Sequence, residues 1–290
     1  MALPTTPSLA VDAHHHFLDP ARTEYPWLTD ELAAIRRRFD PDDLRPLVEA
    51  EGIGRTILVQ TISSPAETRE FLATAAADEL IAGVVGWVDL TDPAVGALLA
   101  EMRGGQGGSF LVGIRHQVHD EPDPAWLRRP EVDRGIGHVG AAGLVYDLLV
   151  RPRELPAALE TVRAHPDVAF VIDHLAKPPI RAGDIEPWRS LLRPFGELDN
   201  VACKVSGLVT EADWRSWRPD DLQPFVDVAL EIFGPERLLF GSDWPVCLLA
   251  ASYADVVEAA RFTTARVSAA EREQVFGGTA RRVYGLDRMG

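Results

Sequence analysis

The sequence predicts a single-domain (β/α)8 barrel, a TIM barrel, over residues 1–290. Three observations carry this prediction: eight short apolar runs of β-type composition, helix-forming segments between them, and no glycine-rich phosphate loop after the first run. The length of 290 residues suits this fold, which typically needs about 250 residues. A doubly wound sheet is the alternative, but it usually carries a phosphate loop where this chain has His14, His15 and His16.

The apolar runs have the character of buried parallel strands. Several are hydrophobic almost throughout, as in Thr56-Ile57-Leu58-Val59, because strands covered on both faces lose the usual alternation with polar residues. The predicted strands are residues 9–16, 55–61, 81–90, 110–118, 144–150, 168–175, 201–208 and 237–244.

Helix start and stop signals occupy the segments between the strands. Asp40 and Pro41 begin the first helix and Gly52 ends it. Ser64 followed by Glu67 has the spacing of a capping box, in which the two residues cap each other. Asp92-Pro93 begins the third helix, and no linker or low-complexity stretch divides the chain. The later predicted helices are residues 124–140, 152–165, 185–198, 220–233, 252–261 and 268–283.

Charge and composition restrict the partners. A formal net charge of −15 and a pI near 4.9 disfavour nucleic acid and anionic membranes. We expect a small-molecule substrate, and a homo-oligomer stays open. Residues 1–7 lack signal-peptide features and no apolar run has membrane-spanning length, so the cytoplasm is the default expectation. Cys203 and Cys247 have no disulfide or zinc-knuckle spacing and are expected to be small buried hydrophobes.

The run His14-His15-His16 is the most informative motif. Strand alternation places His14 and His16 on one face with Asp12 below them, and His15 on the other face. Two imidazoles at a strand end can bind a divalent metal or a catalytic water. A tag remnant or a polar strand end is the alternative, but the run is short and lies inside a strand pattern.

Further polar residues fall at the ends of other predicted strands. In a TIM barrel the chemistry lies at the carboxyl ends of the strands, so these side chains should meet there and indicate an enzyme. They are Gln60, Arg115, His116, Tyr146, Asp147, His174, Lys204 and Asp243.

Lysine is nearly absent from the chain. Of 29 basic residues only Lys177 and Lys204 are lysines, and both lie near predicted strand ends. A compact ammonium group that a guanidinium could not replace would explain them, although chance is the alternative. We expect at least one of the two, Lys204 for preference, to line the mouth of the barrel.

These motifs resemble the amidohydrolase superfamily, and within it the branch of TIM-barrel hydrolases that includes sugar lactonases such as L-fuconolactonase. The resemblance extends through six ordered stretches over almost the whole chain. They are residues 12–17, 25–28, 113–117, 173–178, 203–208 and 240–245.

The resemblance implies at most one divalent metal, zinc for preference. His14, His16 and His174 would bind it, with Asp243 as the fourth candidate ligand. Dinuclear members of the superfamily use a lysine or glutamate on strand 4 and a histidine on strand 5, and this chain has Arg115-His116 and Tyr146-Asp147 there. Hydrolysis without a metal stays open.

The reaction that the resemblance favours is lactone hydrolysis. Asp243 would take the proton of the attacking water and return it to the leaving oxygen, because Asp12 lies deeper and Asp173 is expected to point away. The histidines His14, His16 and His174 would bind the metal or donate hydrogen bonds.

Other strand-end residues are expected to bind the substrate. Arg115 or Lys204 would stabilise the oxyanion, while Arg115, His116 and Tyr146 would contact substrate hydroxyls. The aromatic rings of Tyr25, Trp27 and Trp244 would stack on the substrate, with core packing as their alternative role. Three other functions remain. The protein could be a metal-dependent decarboxylase of the same superfamily or a hydrolase of another small cyclic ester or amide. It could also be a non-catalytic binding protein, which the Asp-His cluster disfavours.

Overall fold

Eight parallel strands follow one another in chain order around one barrel. The structure, a computed structural model, describes residues 10–288. A parallel bridge between His15 and Trp244 joins the last strand to the first, and the His16 amide donates to the Trp244 carbonyl across 2.7 Å. The strands are β1 (Val11–His15), β2 (Arg55–Val59), β3 (Ile81–Gly86), β4 (Leu111–His116), β5 (Val145–Leu148), β6 (Phe170–Ile172), β7 (Val201–Val205) and β8 (Leu238–Phe240).

Helices cover the outside of the barrel, as the βα pattern predicts. Among residues 10–288 the α-helices are α1 (Pro41–Ala50), α2 (Pro65–Ala77), α3 (Val95–Gly104), α4 (Pro130–Ala141), α5 (Leu155–Ala164), α6 (Trp188–Leu192), α7 (Leu208–Glu211), α8 (Pro219–Phe233), α9 (Tyr253–Thr263), α10 (Ala269–Glu273) and α11 (Thr279–Tyr284). None of these helices is long and apolar enough to cross a membrane.

The core has two layers, which explains why the strands are apolar on both faces. One layer lies inside the barrel and consists mostly of valine, isoleucine and alanine side chains. The other lies between the strands and the helices, where the larger side chains pack. The inner layer includes Val11, Ala13, Ile57, Val59, Val85, Val112, Val145, Val171, Ala202 and Leu239.

The predicted strands are present but shorter than predicted. The sequence pattern ran into the loops at the carboxyl ends, because residues there are buried over the barrel without pairing to a neighbouring strand. The start of the first predicted strand at Leu9, like the signal-peptide prediction for residues 1–7, lies outside the described residues.

The helices differ from prediction mainly at their ends. The segment predicted from 124 becomes a helix only at Pro130, and residues 185–198 form the short α6 followed by a 3-10 turn. The final predicted helix is interrupted by a π-turn at Gln274–Gly278. At α2 the Ser64 hydroxyl caps the Glu67 amide, but the Glu67 carboxylate accepts from the Thr61 amide instead of returning to Ser64.

Candidate active site

A β-bulge in β1 brings His14 and His16 to the inside of the barrel mouth. Residues 12–15 of β1 oppose residues 56–58 of β2, so β1 has one extra residue. Such a bulge shifts the alternation of side chains by one position. Ala13 therefore lines the barrel interior, and His14 directly after it points inward as well.

The bulge also explains why the prediction for Asp12 was wrong. Asp12 does not lie below the histidine pair, since its Oδ2 accepts from the Tyr253 hydroxyl at 3.1 Å on the outer side of the strand. Its Oδ1 accepts from the Ser242 amide at 2.8 Å. His15 faces outward as predicted, with Nε2 2.9 Å from the Thr56 hydroxyl. Asp12 thus fixes the β1–β8 junction.

Three imidazoles surround one carboxylate oxygen. The Nε2 atoms of His16, His14 and His174 lie 3.4, 3.7 and 4.0 Å from Oδ1 of Asp243. All four side chains are buried. The four residues predicted to meet at one end of the barrel therefore do so.

Asp243 is held by the backbone of its neighbour strand. Its amide donates to the His14 carbonyl across 2.8 Å, and its φ of 57° is left-handed. Gly241 permits the close approach, because a Cβ there would lie 2.6 Å from the His14 Cβ. Burial by itself raises the pKa of Asp243, but the facing imidazoles of His174, His16 and His14 outweigh it and hold the pKa below its usual range.

His174 lies on a left-handed turn of four non-glycine residues. Residues 174–177 have φ values of 53°, 51°, 58° and 51°. Each residue in this conformation costs roughly 1–2 kcal/mol, so surrounding contacts must hold the turn. The turn directs His174 back over the barrel, with Nδ1 2.9 Å from the Ser206 hydroxyl. Burial lowers the pKa of His174 to about 4, so its imidazole is neutral near pH 7.

His16 has a defined tautomer. Its Nδ1 lies 2.8 Å from the Val59 carbonyl oxygen, and because a carbonyl only accepts, Nδ1 carries the proton. In a neutral ring Nε2 then presents the lone pair that metal binding requires, whereas in a protonated ring it donates to Asp243. A backbone partner that fixes the tautomer in this way is typical of metal-binding histidines.

Asp173 belongs to the cluster, contrary to the expectation that it points away. Its carboxylate lies 3.0 Å from Lys204 Nζ, 3.0 Å from Arg115 Nη1 and 3.3 Å from His14 Nδ1. Burial alone raises its pKa, but Lys204, His14 and Arg115 hold the pKa well below its usual range. Strand alternation could have predicted this position. Val171 points inward, and Asp173, two residues later, lies on the same face.

Lys204 lies beneath the mouth and does not line it, contrary to the expectation. The side chain has no solvent exposure, and Nζ lies 2.6 Å from Asp147 Oδ2. The Tyr284 hydroxyl also donates to Asp147, at 2.8 Å. Lys177 instead lies on the loop after β6, half-buried, with Nζ 2.8 Å from Glu211.

A cleft of about 470 Å³ opens beside the mouth and is lined by Trp27, His116, Gln117 and Glu121, among others. The Trp27 indole donates to the Thr61 carbonyl across 2.9 Å, which fixes its ring. Its neighbour Tyr25, whose ring contacts Trp27 edge-on, lines a separate surface cavity.

His116 is fully hydrogen-bonded within the protein. Its Nδ1 accepts from the Trp87 indole at 3.0 Å, and its Nε2 lies 2.8 Å from Glu121. Its ring stacks on Trp126. Both ring nitrogens of His116 are therefore occupied by protein partners, and Glu121 lines the same cleft.

The structure does not bring Tyr146 or Trp244 to the cluster. Tyr146 is completely buried on the outward face of β5, where its ring packs edge-on against Phe170; the residue that points inward is the next one, Asp147. Trp244 is buried against Phe17 and Phe39. Core packing, the alternative role for Trp244, is the one that the structure shows.

The cluster can hold a metal ion. Ligand atoms of His14, His16 and Asp243 lie within 4.8 Å of one another, and a second such group joins His14, Asp173 and His174. The spacings of 3.4 and 3.7 Å around Asp243 match the edges of a tetrahedron with ligand bonds of about 2.0–2.2 Å, as zinc prefers. The donor set of imidazoles and one carboxylate also suits zinc.

The sequence and the fold both match known proteins. A family profile described as Amidohydrolase matches residues 11–286. The chain is 42% identical over 290 residues to L-fucono-1,5-lactonase of Burkholderia multivorans, covering 96% of this chain and 97% of that protein. It is 38% identical over 284 residues to L-fucono-1,5-lactonase of Burkholderia ambifaria, covering 96% of each.

A crystal structure of an amidohydrolase from Burkholderia multivorans with bound zinc has the same fold. The TM-score is 0.88 at 41% identity, over 96% of this chain and 99% of that one.

Proposed function

Because this chain belongs to the amidohydrolase family, we propose that it hydrolyses a small sugar lactone, an aldonolactone such as L-fuconolactone. The observation that carries the proposal is the position of Asp243, whose Oδ1 faces three imidazole Nε2 atoms at 3.4–4.0 Å. The names of the relatives at 42% and 38% identity support the substrate class.

Asp243 carries the proton in the proposed mechanism. Its carboxylate accepts a proton from water as the water oxygen attacks the lactone carbonyl. When the ring C–O bond breaks, Asp243 returns the proton to the leaving alkoxide, and the product is the open hydroxy acid. The low pKa of Asp243 keeps it ionised at neutral pH, which the first of these steps requires.

The imidazoles orient the reacting groups. His14, His16 and Asp243 form one group that would hold a zinc ion, and His174 Nε2 lies 4.0 Å from Asp243 Oδ1 as a further candidate ligand. Bound there, zinc would polarise the lactone carbonyl or lower the pKa of water. His174 is neutral because burial lowers its pKa to about 4, so its ring can bind a metal or exchange a hydrogen bond with the substrate.

The cleft beside the cluster suits a polyhydroxylated substrate. Trp27 offers a ring for stacking on the apolar face of a sugar, and Gln117 and Glu121 offer polar atoms for hydroxyl groups. Gln117 connects the cleft to the cluster, since the Gln60 side chain donates to it at 3.4 Å and Gln60 also accepts from Arg115.

Decarboxylation fits the described site less well. A decarboxylase needs a cation free to bind the substrate carboxylate. Lys204 is buried between Asp147 and Asp173, and Arg115 is 4% exposed and paired within the protein. Neither cation can reach a substrate in the cleft, whereas a neutral lactone needs no such partner.

A screen of the purified protein against aldonolactones tests the proposal. Acid release would be followed with a pH indicator, with metal content measured on the same sample. We expect turnover of at least one 1,5-lactone of a six-carbon sugar acid. Turnover of β-keto or aromatic acids in its place, or ligand binding without turnover, would refute it.

A further inference from the structure

The Arg115 guanidinium is bound on every side by protein acceptors. Nε and Nη2 donate to Gln60 Oε1 at 3.0 and 2.8 Å, and Nη2 also donates to the Gln60 carbonyl at 2.6 Å. Nη1 donates to Asp173 Oδ2 at 3.0 Å and lies 3.2 Å from His14 Nε2. A guanidinium has five N–H donors and no acceptor, so these five contacts use all of its donors.

The contact with Arg115 occupies the lone pair of one His14 ring nitrogen. Because Arg115 can only donate, His14 Nε2 must accept with its lone pair. The ring proton of neutral His14 then lies on Nδ1, which faces Asp173 Oδ1 at 3.3 Å. Lys204 Nζ is also 3.3 Å from Nδ1, but its shorter contacts are with Asp147 and Asp173.

The same lone pair would be needed to bind a metal. His14 Nε2 is the atom that faces Asp243 at 3.7 Å, and an imidazole nitrogen has one lone pair. Arginine does not lose its proton in proteins, so Arg115 cannot become neutral and thereby release the His14 lone pair. Among residues 10–288 no cation contacts His16 Nε2; Nδ1 is bound to the Val59 carbonyl, so in the neutral ring the Nε2 lone pair is available.

The net charge of the cluster also disfavours a bound metal ion while Arg115 is present. With His14 and His174 neutral, the cluster contains three carboxylates, Asp147, Asp173 and Asp243, and two buried cations, Arg115 and Lys204. A divalent ion would leave an excess of positive charge in a buried site, which is unfavourable. Without Arg115 the same ion would balance the carboxylates.

We propose that Arg115 is a resident cation that competes with a divalent metal for His14 and so keeps the metal weakly bound and exchangeable. Metal binding then requires the Arg115–His14 hydrogen bond to open. Arg115 acts here as a positioning residue for His14 and not as a group that touches the substrate.

Zinc titration of the metal-free protein against a chromophoric chelator tests this competition without reference to catalysis. Hydrogen bonds to charged groups are worth about tenfold to a hundredfold in an equilibrium constant, so Arg115→Met should bind one zinc ion tighter by about that factor. Gln60→Leu removes two of the five anchors and should give a smaller gain. A residue with a merely structural role would lower zinc affinity when replaced, or leave it unchanged.

Lys177→Met is the matched control, since it removes a nearby cation that pairs with Glu211 and makes no contact with His14. An equal gain in zinc affinity in Lys177→Met would show that removing any nearby positive charge is sufficient. That result would overturn the proposed competition between Arg115 and the metal. If Arg115→Met does not fold, Gln60→Leu decides, and unchanged affinity there would overturn it too. Histidine ¹⁵N spectra of the metal-free wild type should show His14 protonated on Nδ1; protonation on Nε2 would contradict the inference without any variant.

Discussion

The Trp188 indole donates to the Leu175 carbonyl oxygen across 2.7 Å, and both groups are buried. Leu175 is the second residue of the left-handed turn that carries His174. The backbone of that turn is costly for non-glycine residues, so a fixed partner on α6 helps to hold it. The position of one imidazole at the barrel mouth thus depends on a tryptophan of the helical layer.

Trp188→Phe should weaken both the fold and the site. The substitution keeps an aromatic ring but leaves the buried Leu175 carbonyl without its donor, which costs about 1–3 kcal/mol. We expect a lower unfolding temperature and a loss in kcat/KM of at least about tenfold, since small displacements of reacting groups are costly. Trp214→Phe is the control, because its indole donates to the Thr210 carbonyl on an exposed surface. Equal effects in both variants would show that the Trp188–Leu175 hydrogen bond does not hold the turn.

Asp243→Asn should abolish most turnover. An amide cannot take up the proton of the attacking water, and general acid–base catalysis is worth about 10²–10⁴-fold. We expect kcat to fall by at least that factor with little change in KM, in protein shown to be folded by circular dichroism. Asp133→Asn is the control, since Asp133 also faces an imidazole, that of His165 at 2.9 Å, but is exposed. Wild-type kcat in Asp243→Asn would give the proton-carrying role to another residue.

Lys204→Met should destabilise the protein strongly. It leaves the buried carboxylates of Asp147 and Asp173 without their common cation, and breaking a buried pair costs about 3–5 kcal/mol. Lys177→Met breaks a partly exposed pair with Glu211 and should cost about 1 kcal/mol or less. Denaturant unfolding measures both. Lys204→Arg should also lose stability, because the larger guanidinium does not fit a side chain with no exposure; unchanged stability would show that a compact ammonium is not required.

Tyr146→Phe should be harmless. The hydroxyl of Tyr146 is buried and has no hydrogen-bond partner among the described residues, and the ring faces the helices. Removing a buried hydroxyl that lacks a partner is neutral or stabilising, so the unfolding temperature should stay level or rise. Steady-state kinetics should show kcat/KM within about twofold of wild type. A large loss would indicate that the Tyr146 hydroxyl does contribute to substrate binding.

Glu67 should make stability pH-dependent. Burial raises the pKa of its carboxyl, so the folded state holds the proton more tightly than the unfolded state. The resulting stability is present below the ordinary pKa of 4.5 and is lost as the pH rises through the folded pKa. The unfolding temperature of Glu67→Gln relative to wild type should therefore rise from pH 4 upward. Glu70→Gln on the same helix, where an exposed Arg22 is the partner, should show no such rise.

Most of the fold could be predicted because buried strands are recognisable in the sequence as short apolar runs. In β2 the residues Ile57, Leu58 and Val59 are apolar and buried, and the buried polar residue Gln60 follows them at the end of the strand. The convergence of His14, His174 and Asp243 followed from topology alone, since all parallel strands end on the same side.

The errors arose where one residue changes the phase or direction of the chain. The bulge after Asp12 turned His14 and His16 inward and left Asp12 on the outer face, and nothing in the composition of β1 marks that bulge. The left-handed turn at His174 uses no glycine, so the usual signal for that conformation was absent. Tyr146 and Asp147 are adjacent, and only the register of β5 decides which of them points inward.

The barrel closes through the residues that form the site. Asp243 bonds to the His14 backbone, His16 bonds to Trp244, and Ser242 donates to Asp12, 230 positions earlier. Contacts between such distant parts of a chain form late in folding because the intervening loop must close first. A nascent chain therefore has no working catalytic centre until its eighth strand has been synthesised, and refolding should recover helical structure well before it recovers turnover.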